Sequence, residues 1–442
     1  MNNHNDDHGL GKYTDKQLME EIALRRARAA PMDLWDFEEM LEASQSRDGL
    51  STYEAYFESK SEIFGEGSRP CPRCGNLVGV RARHRSRRLR TMSGEVTLQR
   101  NYHYCESCKH GFCPLDAELG LEPEGELTPK LSVRLLDFAL HSPFEEAAQR
   151  WKVHHDVEVS ENLLRLVTER AGRKVEALGI EEMQRRLRAE PLHPARTLVV
   201  EIDGSHLPMR GKEVWKEAKL CVVYRGENHL PGSEGKRGTI SESRYSATLR
   251  PVEEFRKHVD NLLKIERAEE AQTVAWLGDG APMNWNIADE LCPKAVQILD
   301  WAHAVEHGAK CGKVLLGENS PWVKTWTDTI SRRLADGDVK NILSEIKQCR
   351  LMSKGESREA LDALQRYYVT HSERMRYKEF RERGFPIGSG VVESAHRHVL
   401  QKRMKLAGQH WDPVRADRMA KLRSAYKTAG PCGFFEVMRC AA

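Results

Sequence analysis

The 442 residues contain no run of 18 apolar side chains; the longest stretches, Thr197 to Ile202 and Leu220 to Tyr224, have the length of strands. A helical membrane span is therefore not expected. Residues Met1 to Lys16 are rich in Asn, His and Asp and lack the basic-then-apolar order of a signal peptide, so the chain is expected to fray there and to stay in the compartment where it is made. Cysteine is scarce. An odd set of 11 is too sparse for a disulfide scaffold at this length, and four stand in close pairs, which favours metal binding in a reducing, cytoplasmic interior. Charge of one sign is also missing overall, since 69 Lys and Arg face 66 Asp and Glu for a net of +3. What is present is enough for about three folding units at roughly 100 to 200 residues each.

The texture of the chain changes along its length. Residues 14–66 have helical spacing with a weak apolar stripe at Leu18, Ile22 and Leu24, and read as a helical lead-in. From Pro70 the sequence turns to Pro, Gly, Cys and short alternating runs, and Val96 to Tyr104 reads as a strand. Helical spacing returns over 127–178. Ser142, Pro143, Phe144 and Glu145 form a capping box, and Ser160 is placed to cap a helix carrying Leu163, Leu164, Leu166 and Val167. After Pro191 and Pro194 three strands are expected at Leu198–Ile202, Leu220–Tyr224 and Tyr245–Leu249. A helix follows with Phe255, Val259, Leu262 and Leu263, then apolar segments at Val274–Leu277 and Val296–Leu299 separated by a further helix. The order predicts an α/β domain with an all-helical insertion at about 318–383 before a long basic helix that starts near Gly390.

Cys71-Pro-Arg-Cys74 and Cys105-Glu-Ser-Cys108 offer four thiolates on two tight knuckles, which suits tetrahedral Zn²⁺ in a zinc ribbon; either pair alone would read as a redox dithiol. His110 and Cys113 are spare ligands, and Cys221, Cys292, Cys311, Cys349, Cys432 and Cys440 read as core or surface thiols. Between the pairs lie Arg81, Arg83, Arg85, Arg87, Arg88 and Arg90. Residues 71–110 hold nine basic and two acidic side chains, and residues 394–427 repeat that count, so two blocks of +7 leave −11 for the rest. Single-signed blocks usually form solvated faces; on a metal-stapled module they fit a phosphate backbone. The helices near 143–152 and 160–178 suit a helix-turn-helix offering Asn162, Arg165, Thr168, Glu169 and Arg173 to a groove, although their connection is long and plain helical packing stays open.

Three carboxylates stand out in the α/β part. Asp203 is expected at the end of the strand Leu198–Ile202, beside Gly204. Asp279 follows Val274–Leu277 inside Gly278-Asp279-Gly280. Glu393 falls in the first turn of a helix that Ser389 can cap, with His396, Arg397, Leu400 and Met404 expected on its face and His398, Lys402 and Lys405 elsewhere. A single Asp beside Gly is more often a turn cap. Three together, on this strand order and next to a basic helix, can hold two divalent ions that activate water or a 3′-hydroxyl and stabilise a leaving oxygen. Asp300 and His303 can pair, or His303 can approach the metal or the scissile phosphate.

The set Glu201-Ile202-Asp203-Gly204, Gly278-Asp279-Gly280-Ala281, Asp300-x-x-His303 and Gly388-Ser389-Gly390-x-x-Glu393-Ser394 resembles the DDE transposases of bacterial insertion sequences, most closely the ISKra family related to Mutator-like elements. The resemblance runs from the Cys71-x-x-Cys74 ribbon to about residue 427. It implies a ribonuclease H-like catalytic core, with Asp203, Asp279 and Glu393 as ligands of two Mg²⁺ or Mn²⁺ ions and Asp300 and His303 matching the family's [Cys/Asp]-x-x-His pair. It implies double-stranded DNA as partner, both element ends and target, bound by a homo-oligomer in the nucleoid. Expected DNA contacts are Arg81, Arg83, Arg85, Arg87, Arg88 and Arg90, with His396, Arg397, Lys402, Arg403 and Lys405. The expected domains are a lead-in at 1–66, the ribbon at 67–120, the helix-turn-helix-like segment at 121–190, the catalytic domain at 191–428 and a tail at 429–442. A nuclease without strand transfer and an inert DNA-binding regulator are the alternatives.

Overall fold

Alternation of small, branched and charged residues on either side of a Thr91-to-Gly94 turn produces a long antiparallel hairpin. Its strands are β3 (Val80–Thr91) and β4 (Gly94–Cys105); the Thr91 hydroxyl donates to the Gly94 carbonyl at 2.9 Å, and Gly94 takes φ +126°. The computed structural model describes residues 34–63, 67–122, 125–155, 158–211, 214–230 and 238–440, with Thr14 and Gln17. The Leu18, Ile22 and Leu24 stripe lies outside them. Two units divide the chain: Met1–Ser132 with Lys152–Glu158, and Val133–Trp151 with Val159–Ala442.

In the first unit helix α1 (Leu34–Ile63) precedes two short paired strands, β1 (Arg69–Pro70) and β2 (Leu77–Val78), then the β3–β4 hairpin, extended by β5 (His110–Phe112). Phe57 of α1 packs with Leu89, Val96 and Leu98 of the hairpin and with Leu115 and Leu121. Side chains alternate along a strand, so Arg87 shares the inward face of Leu89. Its guanidinium is buried, donates to the carbonyls of Glu122 and Gly125, and pairs with Asp116 at 2.9 Å. Arg87 is therefore corrected from a DNA contact to an internal brace. Helix α2 (Pro114–Glu118) closes the ribbon; α3 (Pro129–His141) begins in this unit, and from Val133 on it belongs to the second.

Helices α4 (Phe144–His154), α5 (Glu161–Leu178) and α6 (Ile180–Leu187) come next. Ser160 caps α5 as expected, accepting the Leu163 N–H at 3.2 Å, whereas the Ser142 hydroxyl donates to Glu146 rather than meeting Glu145. The groove face expected on α5 is partly occupied. Thr168 is buried with its hydroxyl on Leu164, and Glu169 pairs with Arg165 and Arg415 at 2.9 Å each.

The second unit is built on a five-stranded mixed sheet. Its strands are β6 (Thr197–Pro208), β7 (Trp215–Arg225), β10 (Arg244–Thr248), β11 (Thr273–Gly278) and β12 (Val296–Leu299), in the order β10-β7-β6-β11-β12; β8 (His229–Leu230) and β9 (Thr239–Ile240) form a separate small pair. β10, β7 and β6 run antiparallel, and β11 and β12 lie parallel to β6. The central β6 is apolar on both faces because helices cover both. Helix α7 (Val252–Ile265) joins β10 to β11, and α8 (Pro282–Leu291) joins β11 to β12. Four longer helices follow: α9 (Trp301–Leu316), α10 (Trp322–Ala335), α11 (Val339–Met352) and α12 (Gly355–Thr370), then the short α13 (Tyr377–Glu382).

The long helix expected from Gly390 is instead broken. It consists of α14 (Gly390–Ala395), a π-helical turn (His396–Gln401), α15 (Lys402–Met404), a loop, and α16 (Pro413–Cys440), itself kinked where Gly430 takes φ +68° before Pro431. Two features account for the break. The buried Arg423 of α16 donates to the His398 and Val399 carbonyls of the π turn. Trp411 pairs with the end of β6, its N–H on the Pro208 carbonyl at 3.1 Å and its carbonyl taking the Arg210 N–H at 2.8 Å. Among the described residues no helix is long and apolar enough to cross a membrane.

Candidate active site and thiolate centre

In the first unit the two knuckles bring four thiols together. Gly75 turns the first knuckle with φ +76°, and its N–H reaches the Cys71 carbonyl at 2.9 Å; β4 and β5 hold the second. Sγ of Cys71 lies 3.5 Å from that of Cys108, and Cys74 stands 3.5 Å from Cys105. All four sulfurs lie within 4.8 Å of one another. Tetrahedral Zn–S bonds of about 2.3 Å put sulfurs about 3.8 Å apart, so the quartet fits a zinc ion. Backbone N–H groups, that of Cys108 foremost, lower the Cys105 thiol to about 6; desolvation and the neighbouring thiols push Cys108 up to about 12. The quartet could hold a metal ion such as zinc.

The second unit places the carboxylates of β6 and β11 side by side. β6 does not end at Asp203, as the sequence suggests, but runs on to Pro208 because β7 pairs with it that far. Pairing with β11 stops at Glu201, so Asp203 stands just past the end of the parallel ladder. Its Oδ1 accepts the Gly204 N–H at 2.8 Å, and its Oδ2 lies 3.3 Å from His396 Nε2. Asp279 follows β11 directly. Its Oδ1 accepts the Ala281 N–H at 2.9 Å and the Asn284 side-chain amide at 2.8 Å. Burial, with the charges of Asp279 and Asp300 added, pushes the Asp203 carboxyl up to about 6 against the pull of the Gly204 N–H.

Asp300 caps α9. Oδ1 accepts the His303 N–H at 2.7 Å and lies 3.1 Å from His303 Nδ1, while Oδ2 accepts the Ser389 N–H at 2.6 Å and hydroxyl at 2.7 Å. Burial opposes its ionisation, but these four donors outweigh it and hold the carboxyl at about 2. The same hydrogen bond raises His303 to about 8, and the charges of Asp300, Asp279 and Asp203 add to the rise. Ser389 therefore does not cap α14 with its hydroxyl, as the sequence suggests; Asp300 has taken it.

Glu393 is exposed on the first turn of α14. The π turn rotates the following residues, so His396, Leu400 and Met404 are buried while Glu393 and Arg397 are exposed, in place of the single shared face expected. Burial lowers His396 to about 4, and it contacts Asp203 instead of DNA. Arg403 is also corrected: it is 1% exposed, donates to the Ala139 carbonyl at 3.0 Å and stacks against Phe144 and Trp411. Lys402 and Lys405 are exposed, as are Arg81, Arg83, Arg85 and Arg88, with Arg90 half-buried beside Glu95. Among the described residues Asp203, Asp279 and Glu393 do not close to the spacing of the thiol quartet.

Sequence reasoning missed Glu201 as a site residue. It is fully buried on the Asp203 face of β6, accepting the Tyr224 hydroxyl and the Val392 N–H at 2.8 Å each. A carboxylate two positions before Asp203, inside an apolar strand, was the available signal. Burial pushes it up to about 7 against those two hydrogen bonds. Tyr367 of α12 was also missed; its hydroxyl donates to the Asp279 carbonyl at 3.2 Å and its ring stacks on His307 at 3.7 Å.

Fold and site thus define a mixed α/β protein with two aspartates past the end of the β6–β11 ladder in one unit and a tetrathiol cluster in the other. The pattern of the uncharacterised protein family UPF0236 matches residues 80–438, and the chain belongs to that family. A Streptococcus gallolyticus relative, the UPF0236 protein in the vanSb 3′ region, is 24% identical over 356 residues, covering 80% of this chain and 74% of the relative. Among solved structures the Drosophila P element transposase strand transfer complex aligns at 10% identity and TM-score 0.32, covering 71% of this chain and 95% of that one. The overlap is loose at that score, and the functional reading rests on the site's own residues.

Proposed function

We propose that this protein is a DDE transposase of the ISKra type, with a ribonuclease H-like core that cleaves DNA at the ends of its element and joins the freed 3′-hydroxyl to a target. The observation that carries the reading is that Asp203 and Asp279 each stand two residues past Glu201 and Leu277, the last pair of the parallel β6–β11 ladder, with the Glu393 turn tied to β6 through Val392 and His396. The three carboxylates are hard oxygen donors of the kind that hold Mg²⁺ or Mn²⁺. Two such ions, when bound, supply activation of water or a 3′-hydroxyl and charge neutralisation at the leaving oxygen. The chain's own part is positioning. Asp300 orients the His303 ring, and the exposed arginines of β3 and, separately, Arg397, Lys402 and Lys405 are the side chains available to the DNA backbone.

The test uses the full chain and labelled duplexes carrying the DNA on either side of its reading frame, where the proposal expects inverted repeats. Asp203→Asn, Asp279→Asn and Glu393→Gln are each expected to abolish cleavage while leaving duplex binding within about twofold, since each removes one ligand and no backbone contact. Cleavage retained in Asp203→Asn would sink the assignment. A nuclease without strand transfer predicts cut products and never joined ones in the same assay.

A further inference from the structure

The first turn of α14 is held by two buried carboxylates from different elements. Glu201 of β6 accepts the Val392 N–H on one oxygen and the Tyr224 hydroxyl of β7 on the other, each at 2.8 Å. Asp300, at the start of α9, accepts the Ser389 N–H and hydroxyl on Oδ2. The first N–H groups of any helix lack intrahelical acceptors, and in a six-residue helix little else fixes their direction. Here two of them, three residues apart in sequence, end on buried carboxyl groups fixed by other elements.

Both acceptors also adjoin the residues proposed to hold the ions. Glu201 lies two positions before Asp203, on the same strand face. The Asp300 N–H reaches the Gly278 carbonyl at 2.8 Å, one residue from Asp279, and the Trp301 N–H reaches the Ile387 carbonyl at 2.9 Å. Neither carboxylate is available to substrate. Glu201 is 0% exposed with both oxygens taken, and Asp300 is 1% exposed with two donors on each oxygen.

We propose that Glu201 and Asp300 are positioning residues that set the Glu393 turn against Asp203 and Asp279, and that neither touches the reacting groups. The catalytic consequence rests on the transposase reading; the latch itself does not. Two acceptors are needed because they fix the turn at separate points, Ser389 and Val392, and so prevent it from rotating about either one. An error of about 1 Å in Glu393 would cost on the order of 100-fold in rate.

Amide hydrogen exchange on the metal-free full chain reads the latch without any reaction. Segment 389–393 is expected to be protected in the unaltered protein and to lose that protection in Glu201→Leu, which fills the space but removes the acceptor. Cleavage in Glu201→Leu should fall about 100-fold at saturating Mn²⁺ with DNA binding unchanged, and Glu201→Gln, which keeps an oxygen for Val392, should recover most of it. If Glu201→Leu folds poorly, Ser389→Ala gives the milder form: partial loss of protection in the same segment. Protection that survives Glu201→Leu overturns the latch. So does a Glu201→Gln protein with intact protection but cleavage as low as Asp203→Asn, because the carboxylate would then act in the chemistry. Asp203→Asn run in parallel separates the two failures: if it still cleaves, the transposase reading falls while the exchange pattern still decides the latch.

Discussion

Arg87 shares its strand face with Leu89 and is buried, while Arg88 beside it is exposed, so two adjacent guanidiniums should respond differently to removal. Arg87→Ala leaves Asp116 short of one partner and the Glu122 and Gly125 carbonyls short of a donor, although Arg100 still pairs with Asp116. Breaking a buried pair costs about 3 to 5 kcal/mol, less here because Arg100 still pairs with Asp116, and a chemical-denaturation midpoint for the ribbon should fall accordingly. Arg88→Ala should leave that midpoint in place. Its effect belongs in DNA binding, where the slope of log affinity against log salt should lose about 0.9 for each phosphate contact given up. The sequence reveals the residue type at both positions, and the parity with Leu89 decides which one turns inward. Arg403 and His396 were less legible, because the π turn that buries them depends on Arg423, more than 20 residues away.

At the scale of elements, the turn after β11 is set by its own Gly280 and by Tyr367 of α12. Gly280 takes φ +94°, and a Cβ there would meet the Tyr367 hydroxyl at 2.7 Å. Gly280→Ala therefore combines backbone strain of about 1 to 3 kcal/mol with a displaced Tyr367, and both act on the peptide that carries Asp279. Cleavage should fall while the melting temperature drops by only a few degrees. Adding Tyr367→Phe should return part of the activity by relieving the clash, since the strain at φ remains; no recovery in the double variant would show that Tyr367 does not press on this turn. Strand positions in the sheet were readable because apolar runs of strand length have few other uses. The extent of β6 was not. Asp203 falls inside the strand because Trp215 pairs across from Pro208, and the partner of a strand is a long-range fact. The broken basic helix has the same cause, since the pairing of Trp411 with β6 competes with continued helix between α15 and α16.

For the whole molecule, a net charge of +3 hides two basic blocks and the cysteine quartet inside one of them. The spacing of the cysteines was fully legible, because two knuckles carry their own geometry in a few residues each. The quartet makes a prediction about which unit depends on metal. The ribbon of the first unit has a small hydrophobic core, Phe57 with Leu89, Val96, Leu98, Leu115 and Leu121, and its β1–β2 and β4–β5 ends meet at the thiols. If the quartet holds an ion, a core of that size is expected to depend on it for much of its stability. The five-stranded sheet of the second unit has a long apolar β6 at its centre and no thiol quartet among its described residues. Elemental analysis of the purified chain should find about one Zn²⁺ per molecule. Removing it with a strong chelator, or by Cys74→Ser, should strip exchange protection from β3, β4 and β5 while the amides of β6, β7 and β11 keep theirs. Protection retained on β3 and β4 after the metal is gone would show that the hairpin stands on its apolar core alone.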